Sequence, residues 1–285
     1  MPHPDRIFHY TTVESLALIL KSRKLRFSRA DRVDDATEAP SVQNIEFSKY
    51  LFISCWTGEG VESIPQWQLY TPNMAGVRIE LPAYPFIQKR FVPPAAWRNI
   101  TLTGPILGPL SCEEMWGNSY TVMWMVINRD SFAGFVNYVD DVRPIFEKAV
   151  SITRSSDGTG SISIDGLVDL ARTKNSNWKF QSEYRFSLVV FPSLPLPPEG
   201  PGQSDFLTLG PQHVLTSLLT GVDPGVKYID VDIRSSALSE LVVTTGPLCS
   251  AGTKVCVESL VRQYAPHGRV RNSELEGRVR AKSAA

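Results

Sequence analysis

The stretch that most constrains this chain is Glu183–Phe191, where Tyr, Phe, Leu and Val follow a charged start and Pro192 closes the run. Aromatic and β-branched residues fit a pleated, buried surface, so a strand is expected there. The following residues, 192–202, hold five prolines. Each removes a backbone donor and fixes φ, so this segment is neither helix nor central strand and is expected as a surface connection. Any fold for the chain must accept a strand whose entry is polar, whose body is apolar and whose exit is abrupt.

Shorter β-favouring segments occur at Ile7–Tyr10, Leu25–Ser28, Tyr50–Trp56, Gly76–Leu81, Tyr120–Ile127, Phe132–Val139, Val226–Ile233, Leu241–Thr244 and Arg269–Ser273. Helical spacing appears between them. Thr11 stands three residues before Glu14, the spacing of a capping box, and Val13, Leu16, Ala17 and Leu20 follow the helical period. Further helices are expected at Pro65–Tyr70, Ile164–Ala171 and Thr253–Tyr264, with polar loops at Asp31–Glu38 and Ser155–Ser163. Strands and helices interleave irregularly, which predicts an α+β fold with a mixed, mostly antiparallel sheet rather than a regular βαβ winding. One domain over residues 1–275 is expected, followed by a disordered tail over 276–285.

With 42% hydrophobic and 20% charged residues in 285, the composition excludes a disordered or coiled-coil chain. The longest apolar stretch, near Tyr120–Ile127, is too short to cross a membrane. No secretory signal is visible, and Cys55, Cys112, Cys249 and Cys256 are too sparse for a disulfide framework, so a cytoplasmic setting is expected with the cysteines as small buried hydrophobes. The 29 basic and 29 acidic residues cancel. The cancellation hides a pattern: residues 1–32 carry seven basic and three acidic groups, and residues 262–285 carry six and two. Two basic ends therefore bracket an acidic middle, and the run Lys21, Arg23, Lys24, Arg26, Arg29 and Arg32 is either a polyanion contact or a solvated helix end.

Glycine-rich dinucleotide and phosphate loops, the His-Glu-x-x-His pair and the Gly-x-Ser-x-Gly elbow are all absent. Four groups of residues remain. His9-Tyr10-Thr11 forms a donor-rich junction between strand and helix, suited either to ribose or phosphate contacts or to packing and capping. Asp34, Asp35 and Glu38 form a carboxylate cluster that fits either a divalent cation or a solvated turn. Alternation along the strand entry puts Gln181, Glu183 and Arg185 on one side, where Glu183 either serves a substrate or simply pairs with Arg185. Ser54-Cys55-Trp56 and the pair Trp67 and Tyr70 complete the set, the aromatics at helical spacing being core by default.

The order of these pieces is informative. His9-Tyr10-Thr11, Leu16, Ile19-Leu20, Leu25, Phe27-Ser28, Asp34-Asp35 and Glu38 are followed by Ser54-Cys55-Trp56, Glu62-Ser63, Trp67, Tyr70 and Gly76-Val77, then by Trp178, Gln181 and Glu183-Tyr184-Arg185-Phe186. This order resembles the bacterial family called domain of unknown function 2971, over Phe8 to Phe186. Asp34-Asp35-Ala36 departs from the Asn-Asp-Pro more usual there, and Gln181 replaces an acidic residue. That family is in turn similar to ADP-ribosyltransferases, including bacterial toxins that modify DNA.

The resemblance implies a split sheet with NAD in its cleft as substrate and no metal. By it, Glu183 takes the role of the transferase glutamate, Gln181 orients the acceptor, His9, Tyr10 and Thr11 hold NAD, Ser54 supports the site, and Arg26 or Arg32 neutralises the pyrophosphate. It further implies a toxin or phage-defence effector, a nucleic-acid acceptor and a cognate antitoxin or immunity protein. Two alternatives stand beside it: a Mg-dependent nuclease using Asp34, Asp35, Glu38 and Glu183, and a nucleotide-binding module without catalysis.

Overall fold

The computed structural model describes residues 2–35, 37–93, 104–116, 119–154, 160–164, 166–194 and 203–280. The strands that shape the site and its sheet are β1 (Arg6–Thr11), β2 (Lys24–Arg29), β3 (Leu51–Thr57), β4 (Val77–Pro82), β5 (Tyr120–Val122), β6 (Ala133–Phe135), β7 (Asn137–Val139), β8 (Thr173–Asn175), β9 (Glu183–Pro192), β10 (Tyr228–Asp232), β11 (Val242–Thr245) and β12 (Arg269–Asn272). The principal helices are α1 (Val13–Ser22), α2 (Ile64–Tyr70), α3 (Gln203–Thr220) and α4 (Ala251–Tyr264). The fold is α+β, as the interleaving of short segments predicts.

Ten strands form one mixed, mostly antiparallel open sheet in the order β10-β2-β3-β1-β4-β11-β12, with β9 against β3 and both β5 and β6 on β9. β11 and β12 run parallel, and the separate pair β7 and β8 is parallel as well. The sheet forks at β3. Along one edge β3 pairs with β9 from Leu51 to Thr57. Along the other, β2 takes Phe52 and Ile53 while β1 takes Thr57, so among the described residues no strand lies against Ser54–Trp56 on that edge.

β9 is buried at every residue but its last, as a strand covered on both faces must be. Tyr184, Phe186, Leu188 and Val190 enter the main core with Phe27, Phe86 and Phe132, while Val189 and Phe191 join Phe47, Tyr50, Leu51 and Phe146. Alternation leaves Glu183, Arg185 and Ser187 on the same face as Val189 and Phe191, nearer the fork. Thus one face of one strand is apolar at one end and charged at the other.

Several local expectations need correcting. Thr12, not Thr11, caps α1 by accepting from the Ser15 amide, because Thr11 is spent as the last residue of β1 and pairs with Val77. Tyr120–Ile127 is not one strand: β5 stops at Val122 and Trp124–Ile127 turns into a 3-10 helix. Phe132–Val139 divides into β6 and β7, since the backbone of Val136 turns to bond Glu183 and that of Asn137 bonds Arg172. The helix expected at Ile164–Ala171 shrinks to Leu167–Leu170, with Ile164 ending a hairpin strand that pairs with Val150–Arg154.

The polar loop Asp31–Glu38 is not solvated throughout, because Asp35 and Glu38 are buried. α3 was not foreseen, since Gly210 and Pro211 interrupt its middle. Cys112 is buried as expected, whereas Cys256 is exposed. Of the proline-rich run, residues 195–202 lie outside the described residues. Within 276–285, Glu276 pairs with Lys254 and Val279 packs against Tyr10, Trp67 and Met74, and 281–285 lie outside the described residues. One glycine is obligatory at a strand start: a Cβ on Gly76 would stand 2.4 Å from the Thr11 carbonyl oxygen.

Candidate functional site

The fork opens a cleft of ≈ 220 Å³ whose walls include His9, Tyr10, Asp34, Glu38, Cys55, Trp56, Tyr70, Lys174, Gln181, Glu183 and Arg185. Sequence-distant pieces meet there because β1 ends one prong of the fork, β3 supplies the unpaired edge and β9 begins at its base. Four named residues, His9, Tyr10, Gln181 and Glu183, line the cleft together. Thr11, Ser54, Arg26 and Arg32 are not among its lining residues.

A buried charge network forms the floor. Arg185 grips Glu183 in two places, Nε to Oε1 at 2.6 Å and Nη2 to Oε2 at 3.0 Å. Its Nη1 donates to the carboxylate of Glu38 and to the carbonyl of Ala171. Lys174 lies 3.3 Å from Glu183, 3.6 Å from Glu38 and 3.7 Å from Asp34. Glu38, Lys174, Glu183 and Arg185 are each less than 5% exposed. Two cations and two anions thus neutralise one another away from water, an arrangement that survives only when each charge finds a partner.

The two carboxylates are driven apart. Burial pushes Glu183 up, but Arg185 and Lys174 outweigh it and hold the group at about 2. Glu38 is raised by burial and by the charge of Glu183, against the pull of Arg185 and Lys174. The same charge network therefore shifts the two neighbouring carboxylates in opposite directions.

Above the floor the groups are polar and mostly satisfied. Ser182 adopts a left-handed backbone, φ 42°, so Gln181 precedes the strand instead of belonging to it and the alternation argument fails for that residue. Its side chain reaches the same cleft nonetheless: Oε1 accepts from Lys174 Nζ at 2.9 Å and Nε2 donates to the Tyr70 hydroxyl. Tyr70 donates onward to Asp34 at 2.7 Å, and burial together with that contact raises its pKa. His9 Nδ1 donates to the Cys55 carbonyl at 2.9 Å, across the gap where β3 lacks a strand. Burial lowers the pKa of His9 despite that bond, so the ring is neutral and Nε2 is an acceptor. Burial, reinforced by Glu183, holds the Cys55 thiol protonated. Tyr10 packs edge-on to Trp67, and its hydroxyl accepts from the Ser63 amide, so it anchors the start of α2.

Other named residues serve elsewhere. Ser54 accepts from Trp56 Nε1 at 3.1 Å. Arg26 pairs with Asp230 and lies over the Tyr228 ring at the far side of β2, and Arg32 is exposed. Half of the basic run is neutralised: Lys24 meets Asp232, Arg26 meets Asp230, and Arg29 meets Asp31 and Asp223. Asp34, Asp35, Glu38 and Glu183 do not converge on an open cation position. Lys174 and Arg185 stand between Glu38 and Glu183, Asp35 accepts from Thr37, and Asp34 accepts from Tyr70. No cluster of metal-ligating side chains occurs among the described residues.

Sequence reasoning missed Lys174 in this site and set Cys55 and Tyr70 aside as buried packing residues. Lys174 sits in a three-residue strand with no motif around it, whereas Tyr70 was signalled by its spacing from Trp67 and set aside as core. Comparison with protein-family models, curated proteins and solved structures returns no match. Among the described residues no helix is long and apolar enough to cross a membrane.

Proposed function

We propose that the cleft binds NAD, breaks its nicotinamide–ribose bond and passes ADP-ribose to a macromolecule, the activity of an ADP-ribosyltransferase-like toxin or defence effector. The observation that carries this reading is the meeting of His9 and Tyr10 with Gln181 and Glu183 at a fork in a mixed sheet. Breaking that bond develops positive charge on the ribose. A carboxylate that stays ionised, as Glu183 does, stabilises such charge more than it stabilises the ground state. Arg185 fixes its orientation, so little reorganisation accompanies the reaction. Neutral His9 offers Nε2 to a ribose hydroxyl, and Trp56 and Tyr70 provide aromatic walls for a planar ring.

The saturation of Glu183 by Arg185 and Lys174 favours a second reading, a cleft that holds nucleotide without cleaving it. NAD labelled in both its nicotinamide and its adenylate separates the two. Release of nicotinamide with transfer of adenylate label, unaffected by EDTA and lost in Glu183→Gln below its melting temperature, supports transfer. Binding without release supports the second reading, and absence of both binding and release rejects the NAD assignment.

A further inference from the structure

A second cavity of ≈ 520 Å³ shares no lining residue with the cleft, and its walls include Asp5, Tyr84, Gln88, Arg129 and Arg234. Arg6, Arg26, Arg29, Arg185 and Arg271 each meet a carboxylate within 4 Å. Arg129 and Arg234 are in no ion pair among the described residues, and both face this one cavity. Arg129 rests over the Tyr84 ring, its Cζ 5.5 Å from the centroid. Nε of Arg234 is shielded from solvent and has no acceptor. Leaving such a donor unsatisfied costs as much as a lost hydrogen bond, and bringing a second guanidinium to the same cavity adds repulsion.

The backbone fixes this arrangement. The Arg234 amide donates to the Pro85 carbonyl at 2.9 Å, and Phe86 bridges Ile233, so the Tyr84–Gln88 stretch is pinned beside Arg234. Arg129 begins a short helix capped by Asn128, which accepts from the Asp130 and Ser131 amides. Two guanidiniums from distant parts of the chain are therefore held toward one space, with Tyr84 and Gln88 between them as neutral hydrogen-bonding groups. Planar guanidinium forks match the oxygens of a phosphoryl group, and a phosphate-sized anion would supply the acceptor that Arg234 lacks. Asp5, the one acid on the wall, is exposed and pairs with neither arginine.

We infer that this cavity is a phosphate-binding site, distinct from the cleft, that takes the phosphoryl group of a nucleotide or of a nucleic-acid backbone. The test is a titration of the full chain with pyrophosphate by calorimetry and with a fluorescent single-stranded oligonucleotide by anisotropy, at several salt concentrations. Wild type should bind at least one probe, with affinity falling as salt rises, and Arg129→Gln and Arg234→Met should each weaken binding by roughly tenfold. Binding of both probes identifies a nucleic-acid backbone as the source, and binding of pyrophosphate alone identifies a small phosphorylated ligand. Unchanged affinity in Arg129→Gln, whose side chain is exposed and whose loss leaves the core intact, overturns the inference, as does failure of wild type to bind either probe. Neither readout depends on NAD turnover.

Discussion

Substituting Glu183 by Gln tests the buried network most directly. The variant keeps the shape of the side chain but removes one of two anions from beside Arg185, which is 0% exposed, and Lys174. Glu38 would be the one anion left to Arg185, beside the Ala171 carbonyl and the single amide oxygen of the new side chain. Breaking a buried pair by removing one partner costs about 3–5 kcal/mol. The depression of Glu183 gives an independent figure: lowering the group from 4.5 to about 2 corresponds to ~3 kcal/mol. At about 2 °C per kcal/mol for a chain of this size, the thermal midpoint at pH 7 should fall by roughly 6–10 °C. A substitution that preserves the shape of the side chain is therefore expected to be costly.

The sign of the pH dependence follows. Because the folded pKa of Glu183 lies below its unfolded value, its contribution is complete above about 4.5 and disappears as pH falls toward 2. Calorimetric melts of wild type and Glu183→Gln should differ most at neutral pH and converge below 4. Adding Arg185→Met should recover part of the loss, since an apolar replacement leaves no stranded charge. A midpoint within 2 °C of wild type at pH 7, or a gap that persists unchanged at pH 3, would refute the closed network.

Other expectations are narrower. Tyr70→Phe removes the donor to Asp34 and the acceptor for Gln181, so a loss of about 1–2 kcal/mol and weaker NAD binding are expected in denaturant titrations and calorimetry. Glu62→Ala strips the acceptor from Trp67, Ser273 and Glu274, and limited proteolysis should then cut the chain beyond Asn272 faster than in wild type. Gly76→Ala forces a Cβ into the Thr11 carbonyl and should lower stability by about 3 kcal/mol, read from urea melts. For His9, whose folded pKa lies below 6.5, the contribution is present above 6.5 and lost as pH falls; His9→Gln should melt closer to wild type at pH 5 than at pH 8.

Much of the sheet was legible because its strands announce themselves locally. Ile7–Tyr10, Leu25–Ser28 and Glu183–Phe191 each carry enough β-favouring residues to stand alone, and each is a strand within a residue or two. Tyr120–Ile127 carried the same local signal, but pairing with β9 stops after Met123, whose amide still bonds the Val189 carbonyl, and the chain turns into a 3-10 helix from Trp124. The site was half legible for the same reason. Alternation correctly put Glu183 beside Arg185, whereas nothing local marks Lys174 as their partner. Glu38 looks solvated in sequence and is buried because Ala39, Val42 and Ile45 carry its loop onto the second core.

The pairing of β3 with β9 also has a consequence for how the molecule comes into being. Thr57 Oγ1 bonds the Ser182 carbonyl across 125 residues of sequence, so one wall of the cleft is made long before the other. During synthesis β3 must wait with an unpaired edge and no partner for the Glu38 carboxylate. Long-range pairing of this kind is slow and leaves hydrophobic edges open to misassociation. Any activity of the cleft therefore stays latent until Arg185 and its strand leave the ribosome, and a fragment ending before Ser182 should accumulate as aggregate rather than as a smaller working protein.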